Sequence, residues 1–219
     1  VVAEYTGCVM AIDPSGRGSD ETGYAIVKIL AGNLYLVAAG GLSGGYSPET
    51  LEALARLAKM NQVKEIIIEA NFGDGMYSQL LKPVLGRVYP CTVNEVKHST
   101  QKELRIIDTL EPVMSSHRLV VDQKLIDHDY NTAKDIKYSL FYQLTRITRD
   151  RGALVHDDRL DALAMAVAYW VEHMARDNSK AADQIKGAAL DKELKKFIGQ
   201  VLGGSPKKKT WGSWNEGIR

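Results

Sequence analysis

Residues 63–69 read Val-Lys-Glu-Ile-Ile-Ile-Glu, and their three consecutive isoleucines constrain the fold more than any other stretch. Side chains alternate across a strand, so an unbroken β-branched run needs apolar cover on both faces. Such a strand belongs inside a sheet with helices on either side. Residues 7–12, Gly-Cys-Val-Met-Ala-Ile, form a second short apolar run that ends at Asp13-Pro14 and the glycine-rich turn Ser-Gly-Arg-Gly-Ser. Residues 23–30 and 34–39 predict two further strands around a Gly32-Asn33 hairpin turn, giving an antiparallel meander with the first. Ser47-Pro48 opens a helix whose stripe is Leu51, Leu54, Leu57 and Ala58. Further helices are expected at about 76–85, at 99–114 and through most of 132–149, with strands at 88–96 and 119–121. Three antiparallel strands followed by alternating helices and parallel strands predict a mixed α/β sheet with helices on both faces.

The C-terminal third opens on His156-Asp157-Asp158-Arg159-Leu160-Asp161, followed by an alanine-rich apolar run. This reads as a helix over about 158–175, with Leu160, Leu163, Ala164 and Val167 facing a core. Asp157 or Asp158 can cap it. Residues three and four apart share a helical face, so Asp158 and Asp161 point the same way, as do Asp157 and Asp161. Clustered like charges beside a buried stripe are costly unless a cation neutralises them. A second helix is expected over 181–202, ended by Gly-Gly-Ser-Pro, before a tail carrying Lys207 to Lys209, Trp211 and Trp214. The domain plan is therefore a main domain over 1–178, a helical extension over 179–204 and a basic, aromatic tail over 205–219.

Composition excludes some classes of function. The formal net charge of +1 gives no global basic bias, so a polyanionic partner must be met by local patches. Cys8 and Cys91, the only cysteines, match no zinc spacing and fit a reducing, cytosolic compartment. No apolar run approaches the roughly 18 residues that span a bilayer, so no membrane partner is expected. The start at Val1-Val2 is consistent with excision from a longer polypeptide.

Asp13 and Glu69 each stand at the C-terminal end of an apolar strand and before a glycine-bearing loop, where open α/β sheets place their sites. Taken singly, Asp13 also suits a turn before proline and Glu69 a solvated strand end. If the two strands are neighbours, both carboxylates emerge at one sheet edge, and the helix at 158 can bring its own acids there. An all-oxygen donor set selects a hard cation, Mg²⁺ or Mn²⁺. Two such ions about 3.5–4 Å apart can activate water and stabilise the leaving oxygen of a phosphodiester.

Three motifs carry a family resemblance. They are Ala-Ile-Asp13-Pro-Ser-Gly-Arg-Gly with Asp20-Glu21-Thr22-Gly23, Ile-Ile-Glu69-Ala-Asn-Phe-Gly-Asp-Gly, and His156-Asp157-Asp158-Arg159-Leu160-Asp161-Ala-Leu. Together they resemble the RNase H-like, or retroviral-integrase-like, nucleases, and most closely the C-terminal nuclease domain of the large terminase subunit of T7-like tailed bacteriophages. The resemblance covers about 7–175. It implies an RNase H-like mixed sheet and metal-dependent cleavage of the DNA concatemer during genome packaging. By position, Asp13, Glu69, Asp158 and Asp161 would be the catalytic metal ligands. Asp157 would be a fifth candidate ligand, or a cap behind the others. The implied setting is the bacterial host cytoplasm, on the procapsid. Implied partners are double-stranded DNA, the portal and procapsid, the small terminase subunit and an N-terminal ATPase domain. No Gly-x-x-x-x-Gly-Lys-Ser/Thr loop occurs, so ATP hydrolysis is not assigned to this chain.

Lys and Arg side chains would hold the DNA backbone. Arg17 stands beside Asp13; Lys97, His98, Lys102 and Arg105 surround the start of the helix after Val96; Lys134, Lys137, Arg146, Arg149 and Arg151 follow later. The resemblance favours Lys102, then Arg105, because terminase nucleases are similar in carrying a Lys-x-x-Arg helix there. His156 can orient a carboxylate or a water. The tail can touch DNA or, as the resemblance favours, dock on the portal. Rival readings are a Holliday-junction-resolvase-like nuclease, which would prefer branched DNA, and a non-enzymatic portal-docking module, which would bind without metal dependence. An actin-like ATPase would need a duplicated domain, for which the chain is too short.

Overall fold

The structure, a computed structural model, describes residues 4–15, 20–70 and 75–202. It is built on a six-stranded mixed sheet. The strands are β1 (Gly7–Asp13), β2 (Thr22–Leu30), β3 (Asn33–Leu42), β4 (Glu65–Glu69), β5 (Thr92–Val96) and β6 (Leu119–Val121), in the order β5-β4-β1-β2-β3-β6. β1, β2 and β3 pair antiparallel, while β4 runs parallel to β1, β5 parallel to β4 and β6 parallel to β3. This is the mixed sheet expected from the sequence. The hairpin turn falls on Ala31 and Gly32, both at positive φ, one residue earlier than the sequence reading put it. Paired positive-φ residues make the turn whose twist matches two strands, and glycine tolerates it without strain.

Alternation along the strands separates two cores. Cys8, Met10, Ile12, Ile26, Ile66 and Ile68 pack on one face with Leu51, Leu54, Ala58, Leu81 and Leu85 from helices α1 (Pro48–Asn61) and α2 (Met76–Val88). Val9, Ala11, Ala25, Val27, Leu34, Leu36 and Ile67 face the other way. They meet residues from α3 (Lys102–Ser115), α5 (Leu140–Arg146) and the first turns of α6 (Asp158–Leu202). The isoleucine run thus supplies both cores, which is what its lack of alternation demanded. Ser47 caps α1 through its hydroxyl, which accepts the Thr50 N–H, and Pro48 takes the first helical position.

Several sequence expectations are corrected. The expected strand at 88–96 shrinks to β5, because α2 continues to Val88 before the chain turns extended at Tyr89. α3 begins at Lys102 rather than at Ser99, with no side-chain cap. A helix the sequence reading missed, α4 (Gln123–Thr132), is capped by Asp122, whose carboxylate accepts the Lys124 N–H. The expected helix through 132–149 is broken: a single 3₁₀ turn, Ile136–Tyr138, precedes α5. No interruption separates 158–175 from 181–202, since Asp177-Asn178-Ser179 are weak helix formers without a glycine or proline to stop propagation.

The chain divides into two compact units, Val1–Met174 and Ala175–Arg219. The second, as far as it is described, is helical and exposes Ile185, Leu190, Leu194 and Phe197. Among the described residues, no helix is long and apolar enough to cross a membrane. Arg17 and the tail over 205–219 lie outside the described residues.

Candidate functional site

The parallel pairing of β1 with β4 runs to Ile12 opposite Ile68, so Asp13 and Glu69 leave the sheet one step further on. By parity each shares a face with Ala11 and Ile67, the face that α6 covers. α6 presents its N-terminus there. Asp157 occupies the cap position, its carbonyl accepting the Asp161 N–H at 2.8 Å. Leu160, Leu163, Ala164 and Val167 are buried as the stripe predicted, and they hold the acids against the sheet edge.

Five acids thereby converge from three elements. Candidate ligand oxygens of Asp13, Asp157 and Asp158 lie within 4.8 Å of one another, and so do those of Asp13, Glu69 and Asp161. Asp13 belongs to both groups. Asp13, Glu69 and Asp161 are buried, and Asp161 has no exposed surface.

Two cations from α3 enter the cluster. Lys102 Nζ lies 3.1 Å from Asp13 Oδ2, 2.9 Å from Asp157 Oδ1 and 3.1 Å from Asp161 Oδ2. Arg105 Nη2 lies 2.8 and 2.9 Å from the two oxygens of Asp161 and 3.8 Å from Glu69 Oε1. The candidate DNA contacts Lys102 and Arg105 are therefore turned into the acids. Lys97 and Lys137 are exposed. His156 stacks on Tyr138 with ring centroids 3.7 Å apart and brings Nδ1 to 3.5 Å from Asp20 Oδ1, so it faces a carboxylate.

Among the described residues, two cations face the five acids and leave them incompletely neutralised. Burial pushes the Asp13 carboxyl well above its usual range; Lys102 opposes this, and Asp161, Glu69 and Asp158 add to it. Burial raises Asp158 to about 6, against the pull of Lys102 and with the help of Asp157 and Asp20. Burial disfavours the Lys102 charge, but Asp13, Asp161 and Asp157 outweigh it and raise its pKa. Nearby His98 is lowered by burial and by Arg105, against Glu69 and Asp161. Asp161 Oδ1, though close to Arg105, receives no hydrogen bond of proper geometry from the described residues. A buried carboxylate oxygen without a donor is costly, and a hard cation relieves it. The all-oxygen donors and this orphaned atom fit a divalent metal.

A second ionic cluster, which the sequence reading did not anticipate, fixes the head of α6. Arg159, 3% exposed, donates from Nε and Nη2 to Glu21 Oε2 at 3.2 and 2.9 Å. Its Nη1 donates to Asp129 Oδ1 at 2.7 Å. Asp129 also accepts the Ser139 hydroxyl and the Phe141 N–H. Gln143 Oε1 accepts the Leu160 N–H at 3.0 Å. Arg159 shares a helical face with Leu163 and Ala166, and a charge on an apolar stripe is the signal that an acidic partner waits elsewhere. Gly23, paired with Asp13 across β1 and β2, backs directly onto α6: a Cβ there would lie 2.3 Å from the Asp158 carbonyl oxygen. Its missing side chain lets Asp13 and Asp158 approach.

Comparison with known proteins agrees with this architecture. Residues 12–119 match the family described as the ribonuclease H-like domain of the bacteriophage T7 terminase. The chain is 45% identical over 197 residues to the large terminase subunit of Enterobacteria phage T3, covering 87% of this chain and 34% of that protein. It therefore spans about a third of the length of that relative. The nuclease domain of the large terminase subunit gp2 of bacterial virus Sf6 superposes with a TM-score of 0.56 at 16% identity, over 75% of this chain and 89% of that one. A manganese-soaked, inhibitor-bound human cytomegalovirus terminase nuclease domain gives 0.54 at 16%, over 75% and 82%. A calcium-containing K428A variant of the Sf6 domain gives 0.53 at 18%, over 74% and 88%. Residues 12–119 thus belong to the ribonuclease H-like domain family of the bacteriophage T7 terminase, and the chain is similar to about a third of a large terminase subunit.

Proposed function

We propose that the chain is a metal-dependent endodeoxyribonuclease that cuts concatemeric viral DNA during genome packaging. The observation that carries this reading is the pair of carboxylate groups that share Asp13. Asp13, Glu69 and Asp161 would hold one Mg²⁺ or Mn²⁺, and Asp13, Asp157 and Asp158 a second. The similar cytomegalovirus and Sf6 nuclease domains, one soaked with manganese and the other containing calcium, support a divalent ion. Bound there, such ions supply Lewis acidity toward water and toward a phosphodiester.

The chain's own groups do the rest. Asp13 at the end of β1 and Asp161 on α6 hold the two halves of the site at a fixed distance, because each is set by a buried core. Lys102 keeps the carboxylates together before metal enters. With those carboxylates holding metal, the Lys102 ammonium would be free to take a backbone phosphate. Arg105 stays on Asp161 and keeps that side chain oriented. Lys97 and Lys137 would track the backbone further out, and Arg17, which lies outside the described residues, would be another backbone contact; such contacts contribute position and salt-sensitive affinity rather than sequence choice. His156 fixes the approach to Asp157 through Asp20 and Tyr138.

Residues 1–178 would form the nuclease, 179–204 a helical extension and 205–219 a docking tail. Duplex DNA is the substrate. The portal and procapsid, the small terminase subunit and an ATPase domain are the partners, in the host cytoplasm and away from any membrane. Plasmid cleavage with Mn²⁺, Mg²⁺ or EDTA tests the reading, comparing the native chain with Asp13→Asn and Asp161→Asn. Metal-dependent nicking and linearisation lost in both variants supports it. No metal binding by the native chain would sink it.

A further inference from the structure

Beside the acid cluster the chain projects a short turn that metal chemistry does not require. α4 ends at Thr132 and α5 begins at Leu140; between them Ile136–Tyr138 make a single 3₁₀ turn. Ile136 is 56% exposed, and its neighbours Lys134 and Lys137 are exposed as well. A branched aliphatic side chain at the tip of a turn loses free energy to water unless something covers it.

The turn is nevertheless firmly built. Asp135 Oδ1 accepts the Lys137 N–H at 2.8 Å, and Gln143 Nε2 donates to the carbonyls of Lys137 and Tyr138 at 3.2 and 3.3 Å. Ser139 donates to buried Asp129, the same carboxylate that holds Arg159. Gln143 bridges onward to the Leu160 N–H. The turn and the first turn of α6 therefore share their anchors. On the outer side, Lys134 Nζ sits 4.1 Å from the centre of the Tyr138 ring and 3.8 Å from Glu21 Oε1. Tyr138 in turn stacks on His156, the residue before Asp157. A contiguous wall thus runs from the exposed tip to the acids.

We propose that this turn is a DNA-docking wedge: Ile136 enters the minor groove of the duplex being cut, while Lys134 and Lys137 take phosphates on its two sides. The inference rests on the nuclease reading above. Lysines alone would serve a sequence-independent backbone contact. An apolar side chain between two cations has the chemistry of proteins that press into a base step from the minor groove and bend the duplex. The shared anchors would transmit that docking as register, setting which phosphate reaches Asp13 and Asp161. Asp135 Oδ1 accepts the Lys137 N–H, and with two lysines against this one carboxylate the turn keeps a net positive charge.

The test is fluorescence anisotropy and end-to-end energy transfer on a labelled linear duplex, in EDTA, across a series of salt concentrations. Ile136→Ala is expected to weaken binding about tenfold at every salt concentration, the scale of one lost apolar contact, and to remove the bend. Lys137→Ala is expected to lower the log–log salt slope by about 0.9. Calorimetric Mn²⁺ binding should be native in both variants, showing that the acid cluster is intact. Variants that bind duplex with native affinity, slope and bend overturn the wedge while native cleavage leaves the nuclease reading standing. A native chain that binds and cuts no duplex overturns both. If Ile136→Ala changes only self-association in sedimentation, the tip belongs to an interface between copies and the wedge is wrong.

Discussion

Two buried ionic clusters meet at the head of α6 and differ in how their charges are satisfied. In the Glu21–Arg159–Asp129 cluster the guanidinium donates to both acids, and Asp129 takes two further donors from Ser139 and Phe141. In the Asp13–Glu69–Asp157–Asp158–Asp161 cluster, five carboxylates share Lys102 and Arg105. Asp161 Oδ1 there lacks a hydrogen bond from the described residues, and burial raises the pKa of Asp13 and Asp158. Both clusters carry the desolvation penalty of buried charge. The first offsets it internally and acts as a fixed joint. Among the described residues the second is left short of positive charge, which is what a binding site for a cation requires.

The largest effect is expected from the short-charged cluster, in function. Asp13→Asn or Asp161→Asn should abolish metal-dependent plasmid cleavage and weaken Mn²⁺ binding while leaving the far-ultraviolet dichroism native. Cleavage that survives both substitutions would mean the metal sits elsewhere. The joint should show the opposite signature. Arg159→Ala takes the guanidinium from two buried carboxylates and should cost about 3–5 kcal/mol in urea unfolding. A native midpoint would show that Glu21 and Asp129 find other partners, and the contrast would collapse.

Lys102→Ala sharpens the comparison further. The ammonium touches three of the proposed ligands and must leave them when metal arrives. Its removal should tighten Mn²⁺ binding by about tenfold, equivalent to ~1.4 kcal/mol, in calorimetry at pH 8. Weaker binding would instead make Lys102 a support of the bound state.

The smallest effect is in pH. The folded, metal-free chain keeps protons on Asp13 and Asp158, the latter up to about pH 6, after the unfolded chain has lost them. The native state therefore binds more protons across this window, and its stability should fall as pH rises from about 4 through 6. Mn²⁺ affinity should rise over the same interval, since protons no longer compete. Urea midpoints at pH 5 and 7.5 check the sign, and Asp13→Asn should flatten the slope. A native chain that becomes more stable across this range would show that other carboxylates dominate.

Much of this was legible in local pattern. The apolar runs gave β1 through β4, and Ser47-Pro48 marked α1 because cap and first-turn preferences are local. Asp13, Glu69 and the acids of 157–161 stood out because each ends or begins an element. Less could be read where context overrode pattern. α4 has a polar sequence whose buried residue is Asp129, and no periodicity announces a helix built around a buried acid. The run over 132–149 looked helical because Leu140, Leu144 and Ile147 repeat at helical spacing, yet Asp135 and Ser139 draw the backbone into a turn.

By itself the sequence determined the layers and the acids. Periodicity and residue type fix which face of an element seeks apolar cover, and carboxylates at element ends admit few chemistries. Tertiary structure alone decided which acids group together, that Lys102 and Arg105 turn inward, and that Arg159 reaches Glu21 and Asp129. The two Arg159 contacts alone join residues 30 and 138 positions apart. They depend on register, on the approach that Gly23 permits and on the burial of charge, and none of these is a property of a local stretch of chain.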